Sequence, residues 1–96
     1  MSDMYLQGET IAKYVYFTSE SGMLIDPDST PTGEVYDPDG NLVTTVDLVK
    51  VSTGKYKFMY SLADDAATGT WTIIFTGTCG SYTQKEPLTV EVQSVS

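Results

Sequence analysis

The stretch Lys55-Tyr56-Lys57-Phe58-Met59-Tyr60-Ser61-Leu62 decides the fold. Tyr56, Phe58, Tyr60 and Leu62 alternate with Lys55, Lys57, Met59 and Ser61. Side chains of a β-strand point to opposite faces in turn, so this spacing predicts a strand with an aromatic face on a core and a lysine-bearing face turned away. Ser52, Thr53 and Gly54 precede it as a turn, and the polar residues 63–69, with Asp64 and Asp65, follow it as a connection. Residues 70–76 then repeat the pattern, with Trp71, Ile73 and Phe75 as the inward set. No segment of helical length carries apolar residues at i, i+3 and i+4, so the chain reads as all-β.

Further out, residues 11–18 place Ile11, Val15 and Phe17 on one face and Ala12, Tyr14, Tyr16 and Thr18 on the other, with Lys13 falling on the Ile11 face. Tyr5, Gly8 and Glu9 read as a short edge strand and turn. Residues 19–29, with Gly22 and Pro27, form a loop whose residues 23–25 tuck against the edge. A strand over 30–36 opens on Pro31, which has no N–H for a ladder and suits an edge or a first position. Asp37, Pro38, Asp39, Gly40 and Asn41 carry the strongest turn chemistry in the chain, with Pro presetting φ and Gly supplying a positive one.

Residues 42–46 and 48–51 are one bulged strand or two short ones. Residues 77–80 close a hairpin onto residues 81–85, and residues 87–92 finish the sheet with Leu88, Val90 and Val92 inward, before residues 94–96 fray. About seven strands with turns every 8 to 12 residues predict a two-sheet antiparallel sandwich. A single tryptophan between aromatic faces suits a sandwich core ~10 Å thick better than a small barrel.

The chain has 96 residues, enough for one domain over 1–96, ordered from about 4 to 92, and too few for a second core. Thirteen acidic residues stand against five basic ones, all lysine, with no His and no Arg. Phosphate recognition needs a basic face, and bidentate contacts need Arg, so nucleic acid is excluded as a partner class. The same deficit opposes adsorption to an anionic membrane. Runs such as Ile73-Ile74-Phe75 fall far short of the ~18 apolar residues of a membrane helix, and residues 1–9 lack the charged and apolar regions of a signal peptide. The reading is a soluble chain, cytoplasmic when made.

Catalysis has little to work with. Without His, no Ser/His/Asp or Cys/His set can be assembled, and a carboxylate-based hydrolase needs a cleft that a sandwich of this size rarely builds. Cys79 is alone, so it makes no intramolecular bridge, and no cation adjoins it in sequence to activate the thiol. The chain is therefore read as no enzyme, with no cofactor unless calcium binds.

Calcium is the ion its aspartates suggest. Asp26 and Asp28, and Asp37 and Asp39, are acidic pairs at alternate positions, and hard cations take clustered carboxylate oxygens. About seven strand residues at ~3.3 Å each separate the pairs by more than ~20 Å, so the four cannot share one site. Aspartate beside Pro and Gly is also ordinary turn material. Tyr14, Tyr16 and Tyr36 alternate away from the apolar sets. As an exposed stripe they would bind protein or glycan, and as cross-strand pairs they would simply support the sheet.

Read in order, Tyr5-x-x-Gly8-Glu9, Gly22 to Asp26-Pro27, Asp37-Pro38-Asp39-Gly40, Gly54-x-Tyr56 and Gly69-x-Trp71 form a pattern over residues 5–92. The pattern resembles the macroglobulin-type immunoglobulin-like domains and the short immunoglobulin-like proteins of phages and prophages. The resemblance implies an immunoglobulin-like sandwich that is non-catalytic and serves as a structural, spacer or adhesive module. Its partners would be proteins, either virion components or further copies of itself through exposed sheet edges, with virion association as the matching location. A calcium-dependent glycan-binding module is the alternative from another class.

Overall fold

The computed structural model describes residues 3–95. Met1, Ser2 and Ser96 lie outside them, so the fraying expected of residues 94–96 falls partly beyond the described chain. Eight strands follow in order: β1 (Asp3–Leu6), β2 (Thr10–Tyr16), β3 (Thr32–Tyr36), β4 (Leu42–Asp47), β5 (Val49–Ser52), β6 (Lys55–Ser61), β7 (Gly69–Cys79) and β8 (Tyr82–Gln93). They form a five-stranded sheet in the order β1-β8-β7-β3-β4 and a three-stranded sheet in the order β2-β6-β5. Two separate sheets exclude the barrel. Neighbouring strands are antiparallel except β1, which pairs in parallel with the end of β8, from Asp3 opposite Val90 to Leu6 opposite Gln93.

The decisive strand lies where its alternation puts it. Phe58 is fully buried, Tyr56 and Leu62 nearly so, and Tyr60 packs half-buried against the same core. From the opposite sheet come Val35, Trp71, Ile73, Phe75, Val90 and Val92. An edge-on ring pair joins the sheets, Phe58 against Phe75 at 5.2 Å, and a second, Phe17 against Tyr56 at 5.6 Å, packs within the three-stranded side. Such geometry sets the positive rim of one ring on the negative face of the other, and each fully buried Phe contributes roughly 1.5–3 kcal/mol of apolar burial. The Trp71 indole N–H donates to the Ala67 carbonyl at 2.8 Å, so its polar edge is satisfied while its body is buried.

One alternative left open is settled, and three expectations change. Residues 42–51 are two strands in different sheets, because the chain crosses at Leu48, which is buried and donates its N–H to the Pro31 carbonyl at 2.9 Å. Gly77 is not a turn residue: β7 runs on to Cys79, and only Gly80 and Ser81 separate it from β8. The glycine is a seat for Phe17, since a Cβ there would lie 2.5 Å from the ring.

Pro87 does not divide the last strand. Counting from the hydrogen-bonded closing pair Cys79–Tyr82 of this two-residue hairpin, the pair Ile74–Pro87 is a non-bonded one, so the proline nitrogen faces away from β7 and no ladder bond is lost. Of residues 23–25, only Ile25 is partly covered, and Met23 is 69% exposed. Its neighbour Leu24 bridges to Thr18.

Candidate interaction surface

The outward face of the three-stranded sheet is built by the same alternation that fills the core. With Ile11 and Val15 inward on β2, Tyr14 and Tyr16 must point out, and they are 53% and 47% exposed. With Tyr56 and Phe58 inward on β6, Lys55, Lys57 and Met59 face out beside them, Lys57 directly opposite Tyr14 and Lys55 opposite Tyr16. The Lys55 ammonium sits 4.5 Å from the centre of the Tyr14 ring and that of Lys57 5.8 Å from it, both within cation–π range. Val49, opposite Lys57 on β5, completes an amphipathic patch.

Tyr36 does not join this patch. It lies on β3 in the five-stranded sheet, outward like its neighbour Glu34, whose carboxylate accepts a 3.5 Å hydrogen bond from its hydroxyl. Two of the three tyrosines singled out from the sequence are therefore brought together, and the third belongs to the opposite face of the sandwich.

The aspartates hold the backbone in turns. Asp26 accepts from the Gly54 N–H at 2.9 Å and from the Lys50 ammonium at 2.7 Å. The Lys50 hydrogen bond, then that from Gly54, holds its carboxyl below the ordinary value. Asp28 accepts from the Gly80 N–H at 2.8 Å, which ties the 19–29 loop to the β7–β8 turn. Asp37 accepts from the N–H groups of Asp39 and Asn41, at 3.0 and 2.9 Å, and Asp39 is exposed in the same turn. The pairs lie beyond the two ends of β3, and no three or more His, Cys, Asp or Glu side chains converge as a metal site among the described residues.

Where the sandwich opens, between the free edge of β2 and the first half of β8, runs a groove of ≈ 390 Å³ lined by Tyr14, Val15, Tyr16, Gln84, Glu86 and Leu88. Gln84 spans its end, donating to the Tyr16 carbonyl at 3.1 Å and accepting from the Thr18 N–H at 3.4 Å, and the Tyr82 hydroxyl donates to the Thr18 carbonyl. Lys13, inward on this edge strand, pairs with Asp3 of β1 and so joins the two sheets. That hydrogen bond raises the lysine above its ordinary value. An inward charge of this kind also discourages another strand from pairing with the edge. Cys79 is buried, and burial, with Asp28 nearby, pushes its thiol up and away from reactivity.

No protein-family model matches the sequence, and no curated protein matches it. Solved structures do match. The chain is similar to one domain of bacterial alpha-2-macroglobulin. The Escherichia coli alpha-2-macroglobulin activated by porcine elastase superposes with a TM-score of 0.75 at 26% identity over 95% of this chain. The native conformation of the E. coli protein gives 0.74 at 27% over 96%, and Salmonella alpha-2-macroglobulin reacted with methylamine gives 0.69 at 29% over 94%.

The chain spans only 5–8% of the length of these proteins. The macroglobulin-type motifs are fold-building in this structure. Gly54, at φ 71°, lets the chain pass Leu24, Ile25 and Phe17 where any Cβ would fall within about 3 Å of them, and two residues later Tyr56 enters the core. These motifs therefore account for the architecture, and none of them lies on the lysine–tyrosine face.

Proposed function

We propose that this chain is a non-catalytic immunoglobulin-like module that works by protein contact, as a structural or adhesive component encoded by a phage or prophage. The outward face of the three-stranded sheet carries this reading. It exposes Tyr14, Tyr16, Met59 and Val49 beside two half-buried lysines, and aromatic rings and Met are the side chains that contact surfaces favour. The likeness to single domains of much larger macroglobulins fits a module that acts by touching other domains. The phage setting rests on the resemblance of the turn motifs.

Photo-cross-linking tests the reading. Benzoylphenylalanine placed at Tyr14, in cells that make the protein, should capture protein partners, whereas the same group at Tyr36 should capture few. Equal capture at both positions, or none at Tyr14, overturns it. Mass spectrometry of purified virions checks the phage setting, which fails if the chain is absent from them.

A further inference from the structure

We infer that the partner segment seated on this face is acidic and extended, its carboxylates meeting Lys55 and Lys57 and its apolar side chains lying on Tyr14, Tyr16 and Met59. The inference rests on the protein-contact reading above and adds the chemistry of the partner.

Charge is sorted between the two sheets. No Asp or Glu occurs anywhere in β2, β5 or β6, although the chain carries 13 of them and a net charge of −8. Four of its five lysines, Lys13, Lys50, Lys55 and Lys57, lie in those strands. Lys13 and Lys50 reach carboxylates outside the sheet, Asp3 and Asp26. Lys55 and Lys57 instead lie over the Tyr14 ring and form no ion pair among the described residues. In so acidic a chain, two lysines gathered on an aromatic floor outside ion-pair distance of any carboxylate among the described residues form a cationic surface, with Asp47 at its rim beside Lys57.

The ring positions the ammonium groups without pairing them with a carboxylate, so each keeps N–H donors for an incoming acceptor. Lys55 and Lys57 are two residues apart on one strand, which spaces them by ~7 Å. Carboxylates at alternate positions of an extended segment have the same spacing, whereas a helix repeats its faces every three or four residues. At physiological ionic strength the field of the remote acidic residues is screened beyond about 8 Å, while contact pairs on the face survive.

A second copy of this chain fits less well. Its own alternate aspartates, Asp26 with Asp28 and Asp37 with Asp39, are wound into turns, and the first three of these already accept backbone N–H groups.

The test is an NMR titration of the full ¹⁵N-labelled chain with a ten-residue peptide of alternating Glu and Val, against a control of alternating Lys and Val. Saturable shifts should appear at amides of β2 and β6, the Lys–Val peptide should give none, and a Lys55→Gln/Lys57→Gln variant with an unchanged melting curve should bind at least tenfold more weakly. The inference is overturned by shifts confined to the five-stranded sheet, by equal binding to the double variant or of the control peptide, or by no saturable shift at millimolar peptide. Concentration-dependent shifts of this face without peptide overturn it in favour of a second copy. Cross-linking at Tyr14 without these peptide shifts removes the acidic partner and leaves the protein-contact reading standing, whereas absent cross-linking removes that reading itself.

Discussion

The two sheets obey one alternation rule and present different chemistries. Outward on the five-stranded sheet threonine is the commonest residue, at Thr32, Thr72, Thr76, Thr83 and Thr89, with Glu34 and Glu91 among them and Met4, Leu6, Tyr36 and Ile74 as its large side chains. Threonine satisfies the strand preference for a β-branched side chain while offering little apolar area. Outward on the three-stranded sheet the strand-forming residues are Tyr, Met and Val instead, interleaved with lysine. Both choices make a stable strand, so stability does not explain the difference. A surface of large amphipathic side chains interleaved with lysine, on a molecule that mostly uses threonine elsewhere, is what the proposed contact role would use.

That comparison can be broken or sharpened experimentally. Because both faces depend on one shared core, Phe58→Ala should have the largest effect, about 3–5 kcal/mol in chemical denaturation, since it empties a fully buried ring position facing Phe75. A loss below about 1 kcal/mol would mean that the sheets are not held together as described. Gly77→Ala should cost about 1–3 kcal/mol by driving a methyl into the Phe17 ring, and the melting curve of a Gly77→Ala/Phe17→Leu variant should recover part of it. Tyr14→Ser and Tyr16→Ser should each cost under about 1 kcal/mol, because half-exposed rings lose only cation–π and strand-preference contributions. A larger loss in either would return these rings to a structural role and erase the contrast between the faces.

Smaller effects concern the aspartates. The carboxyl of Asp26 is held below its ordinary value in the folded chain, so its contribution is present above the unfolded value near ~3.9 and is lost as pH falls through the lower folded one. Melting temperature below about pH 4 should therefore fall less steeply for Asp26→Ala than for the unaltered chain, and parallel curves would refute the coupling to Lys50 and Gly54. Millimolar calcium should leave the melting temperature unchanged, because Asp26, Asp28 and Asp37 already serve backbone N–H groups. A calcium-dependent rise in calorimetry would restore the metal and, with it, glycan binding as a reading.

Much of this was legible in the residues, and the misses share a cause. Alternation identified the inward sets of β2, β6, β7 and the end of β8 because burial on one face imposes period two. It says nothing about which sheet a strand joins, so Tyr36 could not be separated from Tyr14 and Tyr16 before the topology was known. Gly77 read as a turn because glycine usually is one, and its actual occupant, Phe17, is 60 residues away in sequence. The Asp37 turn was readable, since its acceptors' partners are two and four residues on. The partners of Asp26 and Asp28 were not, because Gly54 and Gly80 approach only after the chain has folded.

The β7–β8 hairpin, 11 and 12 residues joined through Gly80 and Ser81, also bears on the order of folding. Its ladder from Cys79–Tyr82 to Gly69–Val92 grows outward from a two-residue turn, so each new pair closes almost no additional loop. The pairing of β2 with β6, by contrast, first brings Tyr16 to Lys55, far apart along the chain. Loop-closure entropy makes such distant pairing the slower event. The β7–β8 hairpin is therefore expected to supply the early scaffold, and the lysine–tyrosine face to be completed only when β2 reaches its distant partner β6.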